Sequence, residues 1–225
     1  MKHIVITGGN GFLGKAICRL ASLHTIPVIS ISRGGKPENV YGKDYQTTTW
    51  VSADIFQPGE WKKHLQGACA VIHCIGILEE KPDQGITYER MIFTAAKIAG
   101  ITTKSMGIDK FVYISAGAGA PDTPAGYMAS KTAAEAFLSS NELGLDLTIL
   151  KPGMLYGLER PETIQENEYI RKLLPDPVLG PEIKPNRPLP VESVAKVALY
   201  AAINTLDIKK LFVDDIERLS SALNF

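Results

Sequence analysis

The chain has 225 residues with 24 basic and 24 acidic side chains; 45% of its residues are apolar and 21% are charged. That length suits one domain, with room for a small appended lobe, and it can bury a full core. A formal net charge of zero argues against nucleic acid as the main partner, because phosphate neutralisation needs clustered Lys and Arg.

The longest apolar run, Cys69 to Leu78, is interrupted by His73 and falls short of the roughly 18 residues that span a bilayer, which leaves only peripheral membrane association open. Cys18, Cys69 and Cys74 are odd in number and form no CxxC, which argues against a disulfide framework or a zinc site. His3, His24, His64 and His73 show no metal-ligand spacing, and no metal is expected. The composition is that of a soluble, globular, intracellular protein.

Strand-like residues begin at His3, so no cleavable signal or transit peptide is expected before the fold. Residues 1–37 contain Lys2, Lys15, Arg19, Arg33 and Lys36 with no acid. Two readings fit: a basic mouth around an anionic ligand, or an uncleaved import signal within the first strand and helix. Strands are expected at His3 to Thr7, Pro27 to Ser32, Thr47 to Ala53, Cys69 to Ile75, Phe111 to Ser115 and Leu145 to Lys151. Helices are expected at residues 11–23, 58–66, 86–100 and 126–141. This alternation predicts an α/β fold of Rossmann type, a doubly wound parallel sheet covered on both faces.

The texture changes after Leu150. Eight of the 14 prolines fall between Pro152 and Pro190, which excludes long uninterrupted elements there. The expected organisation is a single domain in three parts. Residues 1–152 form a nucleotide-binding core and 153–190 a small irregular substrate lobe, with a helix around Ile164 to Leu174. Residues 191–225 complete the fold with an amphipathic helix from Val191 to Asn204, a strand at Lys210 to Val213 and a terminal helix. Ser193 is a candidate N-cap.

The strongest local signal is Thr7-Gly8-Gly9-Asn10-Gly11-Phe12-Leu13-Gly14, leaving a strand and opening a helix. Gly8 or Gly9 permits the tight turn, Gly11 lets the backbone approach a pyrophosphate, and Gly14 allows close helix–strand packing. The helix N-terminus then offers free N–H groups to the anion. Nineteen residues after Gly14 stands Arg33, with no acid nearby, which favours the 2′-phosphate of NADP(H) over the 2′-hydroxyl of NAD(H).

Tyr127 and Lys131 are four residues apart, on one face of a predicted helix. An ammonium beside a phenol lowers the phenol's pKa, which makes Tyr127 a candidate general acid or base at a carbonyl or alcohol. Ser115 ends the fifth strand, at the carboxyl edge where such sheets bind ligands.

Together with Asp54 after the third strand, Gly76 after the fourth and Lys151-Pro152-Gly153, these features resemble the short-chain dehydrogenase/reductase superfamily in its extended or atypical branch. The resemblance runs in order from Met1 to about Ala202. It implies that Ser115 orients a substrate oxygen, that Tyr127 moves the proton, and that Lys131 holds the ribose while tuning Tyr127. It further implies adenine contacts from Asp54 and Ile55, a cofactor lining of Cys74, Ile75 and Gly76, and a nicotinamide border of Pro152 and Gly153.

The runs Gly9 to Lys15, Ser30 to Gly34, Ala53 to Phe56, Tyr113 to Ala116 and Gly126 to Lys131 are similar to fungal dehydrogenase-like proteins associated with the coenzyme Q biosynthetic complex. That likeness implies the mitochondrion rather than the cytoplasm. It also implies a small-molecule substrate such as a quinone precursor, and the proteins of that complex as partners. Two departures stand out: Ile86 to Ala99 holds no counterpart of the family's active-site asparagine, and only 73 residues follow Pro152, too few for a full sugar-nucleotide pocket. They keep a non-catalytic, nucleotide-bound structural subunit as the alternative to an oxidoreductase.

Among smaller signals, His73 reads as a core histidine. Cys74 reads as facing the cofactor or as a small buried hydrophobe. Met154 and Tyr156 read as lining an apolar substrate pocket or as lobe core.

Overall fold

Short β-branched runs supply the strands. A computed structural model describes residues 2–38, 40–117, 123–173 and 187–223, with 169–173 by backbone alone. Strands β1 (His3–Thr7), β2 (Val28–Ser32), β3 (Thr48–Ser52), β4 (Ala68–His73), β5 (Lys110–Ile114) and β6 (Asp146–Leu150) lie within a residue or two of their expected positions. They form a parallel sheet in the order β3-β2-β1-β4-β5-β6, extended by β9 (Lys210–Leu211) beside β6. The direction of winding reverses between β1 and β4, which opens a crevice at their carboxyl ends.

Alternation along β1 assigns the faces. Ile4 and Ile6 pack with α1 (Phe12–Leu23), α6 (Val191–Ile203) and α7 (Val213–Ala222). Val5 packs with α3 (Ala95–Ser105), α4 (Ala125–Leu138) and Trp61. Both faces of the central strands are buried, so β1 and β4 read as apolar runs rather than as half-polar stripes, whereas the edge strand β3 stays partly exposed.

The helices depart from expectation in instructive ways. Residues 58–66 form one α turn, α2 (Pro58–Trp61), followed by a 3₁₀ turn at Lys62–Leu65. Buried Trp61 donates its indole N–H to the Ile55 carbonyl at 3.2 Å, and Gly67 at φ 80° ends the segment. The helix expected to stop at residue 100 begins as a π-helix at Glu89–Thr94 and runs to Ser105. Gly100 is a packing residue rather than a stop, because a Cβ there would lie 2.5 Å from Leu138 of α4. The true terminator is Gly107, at φ 74°.

In the lobe, β7 (Leu155–Tyr156) and β8 (Leu189–Pro190) form a short parallel pair. Helix α5 (Pro161–Leu173) spans 13 residues despite the proline-rich context. Pro161 is its first residue, where a missing N–H costs nothing. The expected helix end at Leu174 lies outside the described residues. Ser193 is not an N-cap: α6 already starts at Val191, with Pro190 in the capping position.

Candidate active site

The glycine segment is closed by its own backbone. Gly8, at φ 82°, donates its N–H to Ile31, and its carbonyl accepts from Gly11 at 3.1 Å. A Cβ on Gly9 would fall 2.2 Å from Ser30 Oγ, and one on Gly14 would fall 2.4 Å from the Gly8 carbonyl oxygen. At Gly11, the N-cap of α1, the nearest atom to a Cβ would be the Gly8 oxygen at 3.3 Å, and no side chain caps the helix. The first N–H groups of α1 therefore have no intrahelical partner. Thr7 to Gly14 fit the pyrophosphate of a dinucleotide, with Gly11 as the face that must stay bare.

Arg33 is exposed at the carboxyl end of β2, and its carbonyl accepts from Ser52 Oγ at 2.9 Å. A Cβ on Gly34 would meet Asn10 Nδ2 at 3.0 Å, so the arginine loop abuts the cradle. Asp54 accepts from the Phe56 N–H at 3.1 Å, while its own N–H donates to Glu60. Ile55 is only 4% exposed in the core beside Trp61, so its side chain is structural. Cys74 donates its N–H to the Thr7 carbonyl at 2.9 Å, and burial pushes its thiol pKa up; it is an inert neighbour of the cradle. Ile75 packs on Gly8, whose Cβ would meet it at 3.0 Å.

Lys131 of α4 links the end of β5, beside Ser115, to the Tyr127 ring one turn earlier on the same helix. Lys131 is buried and donates to the Ile114 carbonyl at 2.8 Å, next in chain to Ser115. Its Nζ stands 5.8 Å from the Tyr127 ring centroid and 3.6 Å from where a Cβ on Gly76 would sit, so Gly76 leaves the ammonium open towards the end of β4. Burial, partly offset by Cys74 and the Glu135 carboxylate, lowers the Lys131 pKa to about 8. Tyr127 packs edge-on against Tyr88, ring centroids 5.7 Å apart. Its pKa lies above the ordinary value, through burial and then through Tyr88, opposite to the direction expected from Lys131 alone. Pro152 is buried, and its carbonyl accepts from the Gly117 N–H at 2.8 Å; Gly153, half-buried, follows it.

Glu135, one turn beyond Lys131 on α4, is the site residue that sequence reasoning missed. Its carboxylate accepts the Ser115 hydroxyl at 2.5 Å, pairs closely with Lys151 at the end of β6, and accepts Lys210 of β9 at 3.0 Å. Burial pushes its pKa up, but the hydrogen bonds from Lys151, Ser115 and Lys210 outweigh it, and the carboxyl stays below its usual range. The spacing Tyr127, Lys131, Glu135 was the available signal. The partners on strands β6 and β9 were not readable from it.

His73 lies in the core, as expected, but is not the fully satisfied core histidine anticipated: its Nε2 is buried without a hydrogen-bond partner among the described residues. It is fully buried, shares a 2.8 Å hydrogen bond with Thr7 Oγ1 and stacks between Phe111 and Tyr113. Burial, then Lys131, lowers its pKa to about 3, so it stays neutral. The basic residues of α1 do not form an anion mouth. Lys15 pairs with Glu159 and Arg19 with Glu192, which tie α1 to the lobe and to α6. Met154 and Tyr156 are half-buried, and the Met154 carbonyl accepts the Leu189 N–H that joins β7 to β8, a lobe-building position. Among the described residues, no three His, Cys, Asp or Glu side chains converge as metal ligands, and no helix is long and apolar enough to cross a membrane.

Known proteins resemble this chain in sequence and in fold. A Saccharomyces cerevisiae protein described as MIOREX complex component 2 is 30% identical over 204 residues, covering 70% of this chain and 74% of its own. A chloroplastic Arabidopsis thaliana protein of uncharacterised role is 35% identical over 168 residues, 73% of this chain; the match spans about half of its length, 54%. In structure, the UDP-N-acetylglucosamine 4-epimerase from Methanobrevibacter ruminantium superposes with a TM-score of 0.70 at 21% identity, covering 98% of this chain and 80% of that one, and so shares its fold. Residues 4–183, most of the chain, match the model of one family, and that stretch includes Thr7 to Gly14, Ser115, Tyr127 and Lys131. The chain belongs to the NAD-dependent epimerase/dehydratase family.

Proposed function

We propose that this protein is an NADP(H)-binding oxidoreductase of the short-chain dehydrogenase/reductase type, acting on a carbonyl or alcohol in mitochondrial coenzyme Q biosynthesis. What supports the reading is that Lys131 ties α4, which carries Tyr127, to the end of β5 beside Ser115, on the sheet edge that also carries the Thr7–Gly14 turn. Bound there, a nicotinamide dinucleotide supplies the hydride couple. The chain's own residues supply the rest. Lys131, with two donors beyond its bond to Ile114, holds a ribose hydroxyl and stabilises the phenolate of Tyr127. Tyr127 exchanges the proton with the substrate oxygen, and Ser115 fixes that oxygen's position. Arg33, exposed and without an acidic neighbour in sequence, favours the 2′-phosphate. The pathway and the organelle rest on the sequence resemblance alone.

The test is Tyr127→Phe beside Gly11→Val. Fluorescence titration with NADPH and NADH is expected to show nucleotide binding kept in the first variant and lost in the second, with NADPH preferred. Turnover in Tyr127→Phe should fall by about 10²–10⁴-fold, the usual worth of a positioned proton-transfer group. In cells lacking the protein, Tyr127→Phe should then fail to restore the quinone profile.

A second reading, a nucleotide-bound structural subunit, is favoured by the raised pKa of Tyr127 and by similarity to a protein named as a complex component. Under that reading Tyr127→Phe rescues fully and Gly11→Val does not.

A further inference from the structure

A hydroxyl has one proton, and at Ser115 that proton is committed. Glu135 is 6% exposed and held between Lys151 and Lys210, so it is a carboxylate, and a carboxylate only accepts hydrogen bonds. The hydrogen in the 2.5 Å Ser115–Glu135 bond therefore belongs to the serine. Towards the rest of the site Ser115 presents lone pairs alone. Lys131 and the protonated Tyr127, by contrast, present N–H and O–H donors.

This polarity discriminates between the two partners of a carbonyl/alcohol couple. A carbonyl oxygen accepts from Tyr127 but meets the serine oxygen with no proton between them. An alcohol accepts from Tyr127 and donates to Ser115. Turning the Ser115 proton into the site would take a hydrogen bond from a buried, charged oxygen, at a cost of roughly ten-fold or more in equilibrium.

We propose that Glu135 is a positioning residue that makes Ser115 an acceptor, so that the ligand this site holds best is an alcohol rather than the corresponding ketone or aldehyde. This deepens the oxidoreductase reading and rests on it.

The experiment compares two probes of the same shape, 1-phenylethanol and acetophenone, binding to the full chain with NADP⁺ or NADPH present, by NMR titration. For the wild type the alcohol is expected to bind about ten-fold tighter than the ketone. In Glu135→Gln the two lysines compete for the single amide oxygen and the NH₂ group donates to Ser115, which turns its proton into the site. The preference should collapse or invert while nucleotide affinity stays unchanged. Ser115→Ala removes the acceptor but leaves Glu135 with both lysines, and should also abolish the preference; this variant carries the test if Glu135→Gln fails to fold. Equal binding of the two probes by the wild type, or a preference that survives Ser115→Ala, overturns the assignment and leaves the oxidoreductase reading standing. Nucleotide binding with neither probe bound in any state overturns both.

Discussion

The two halves of the site are held by different physics. The turn from Thr7 to Gly14 is contiguous in sequence, and volume sets its shape: Ser30 of β2 leaves Gly9, and the turn's own backbone leaves Gly14, no room for a single methyl group. The cluster around Ser115 is assembled from the ends of β5 and β6, from α4 and from β9, and charge holds it, through one buried carboxylate shared by a serine and two lysines. The first half fails when atoms are added. The second fails when a charge loses its partner.

The largest expected effect follows from removing that partner. Glu135→Ala leaves Lys151, with a side chain only 14% exposed, without its counter-ion. Breaking a buried pair from one side costs about 4 kcal/mol. Urea denaturation should show a loss of that order, and a loss no larger than that of a surface substitution would mean that water reaches the cluster freely.

Gly14→Ala tests the other half. Its Cβ would lie 2.4 Å from one backbone oxygen and 2.6 Å from the Gly9 Cα, atoms that cannot swing aside as a side chain would. Overpacking of this kind costs about 3 kcal/mol, and a thermal melt should fall accordingly. Gly11→Ala, whose nearest contact would be a backbone oxygen at 3.3 Å, asks for a shift of only a few tenths of an ångström, so it should cost less stability than Gly14→Ala and show its main effect in nucleotide binding. If both variants melt like the wild type, the cradle is looser than its geometry says.

The smallest of these effects is a dependence on pH. Lys131 has a folded pKa of about 8, below its unfolded value of 10.5. Between these values the unfolded chain binds more protons, so stability rises with pH through the window. At neutral pH the buried ammonium is a net cost to the fold, and raising the pH relieves it. Relative to Lys131→Met, the wild type should gain roughly 2 kcal/mol between pH 8 and pH 10. A flat difference across that range would show that Lys131 is solvated.

Much of the architecture was legible because strands and helices carry their periods in the local sequence. All six leading strands, the parallel sheet and the glycine turn were expected at nearly their true positions. Element ends were less legible. The helix expected over residues 86–100 runs on to Ser105, with Gly100 packed against Leu138, and Ser193, expected as a cap, lies inside a helix that starts at Val191. Basic residues in α1 looked like a binding mouth, yet their acids arrive from more than 140 residues away, at Glu159 and Glu192.

What the sequence by itself determined is the backbone-made half of the site. A strand, four close glycines and a helix start within a few residues of one another fix a tight strand–turn–helix backbone wherever the chain folds as an α/β sheet. What only the tertiary structure decided is the electrostatic state of the reactive half. The Tyr127 to Lys131 spacing predicts a phenol made more acidic, whereas burial beside Tyr88 makes it less so. Ser115 reads as a group that orients a substrate oxygen, but its hydroxyl donates to Glu135, on which Lys151 and Lys210 also converge. A local motif can specify backbone geometry because bonded neighbours set it. Proton positions and charge states depend on burial and on partners distant in the chain, and those exist only once the sheet is closed.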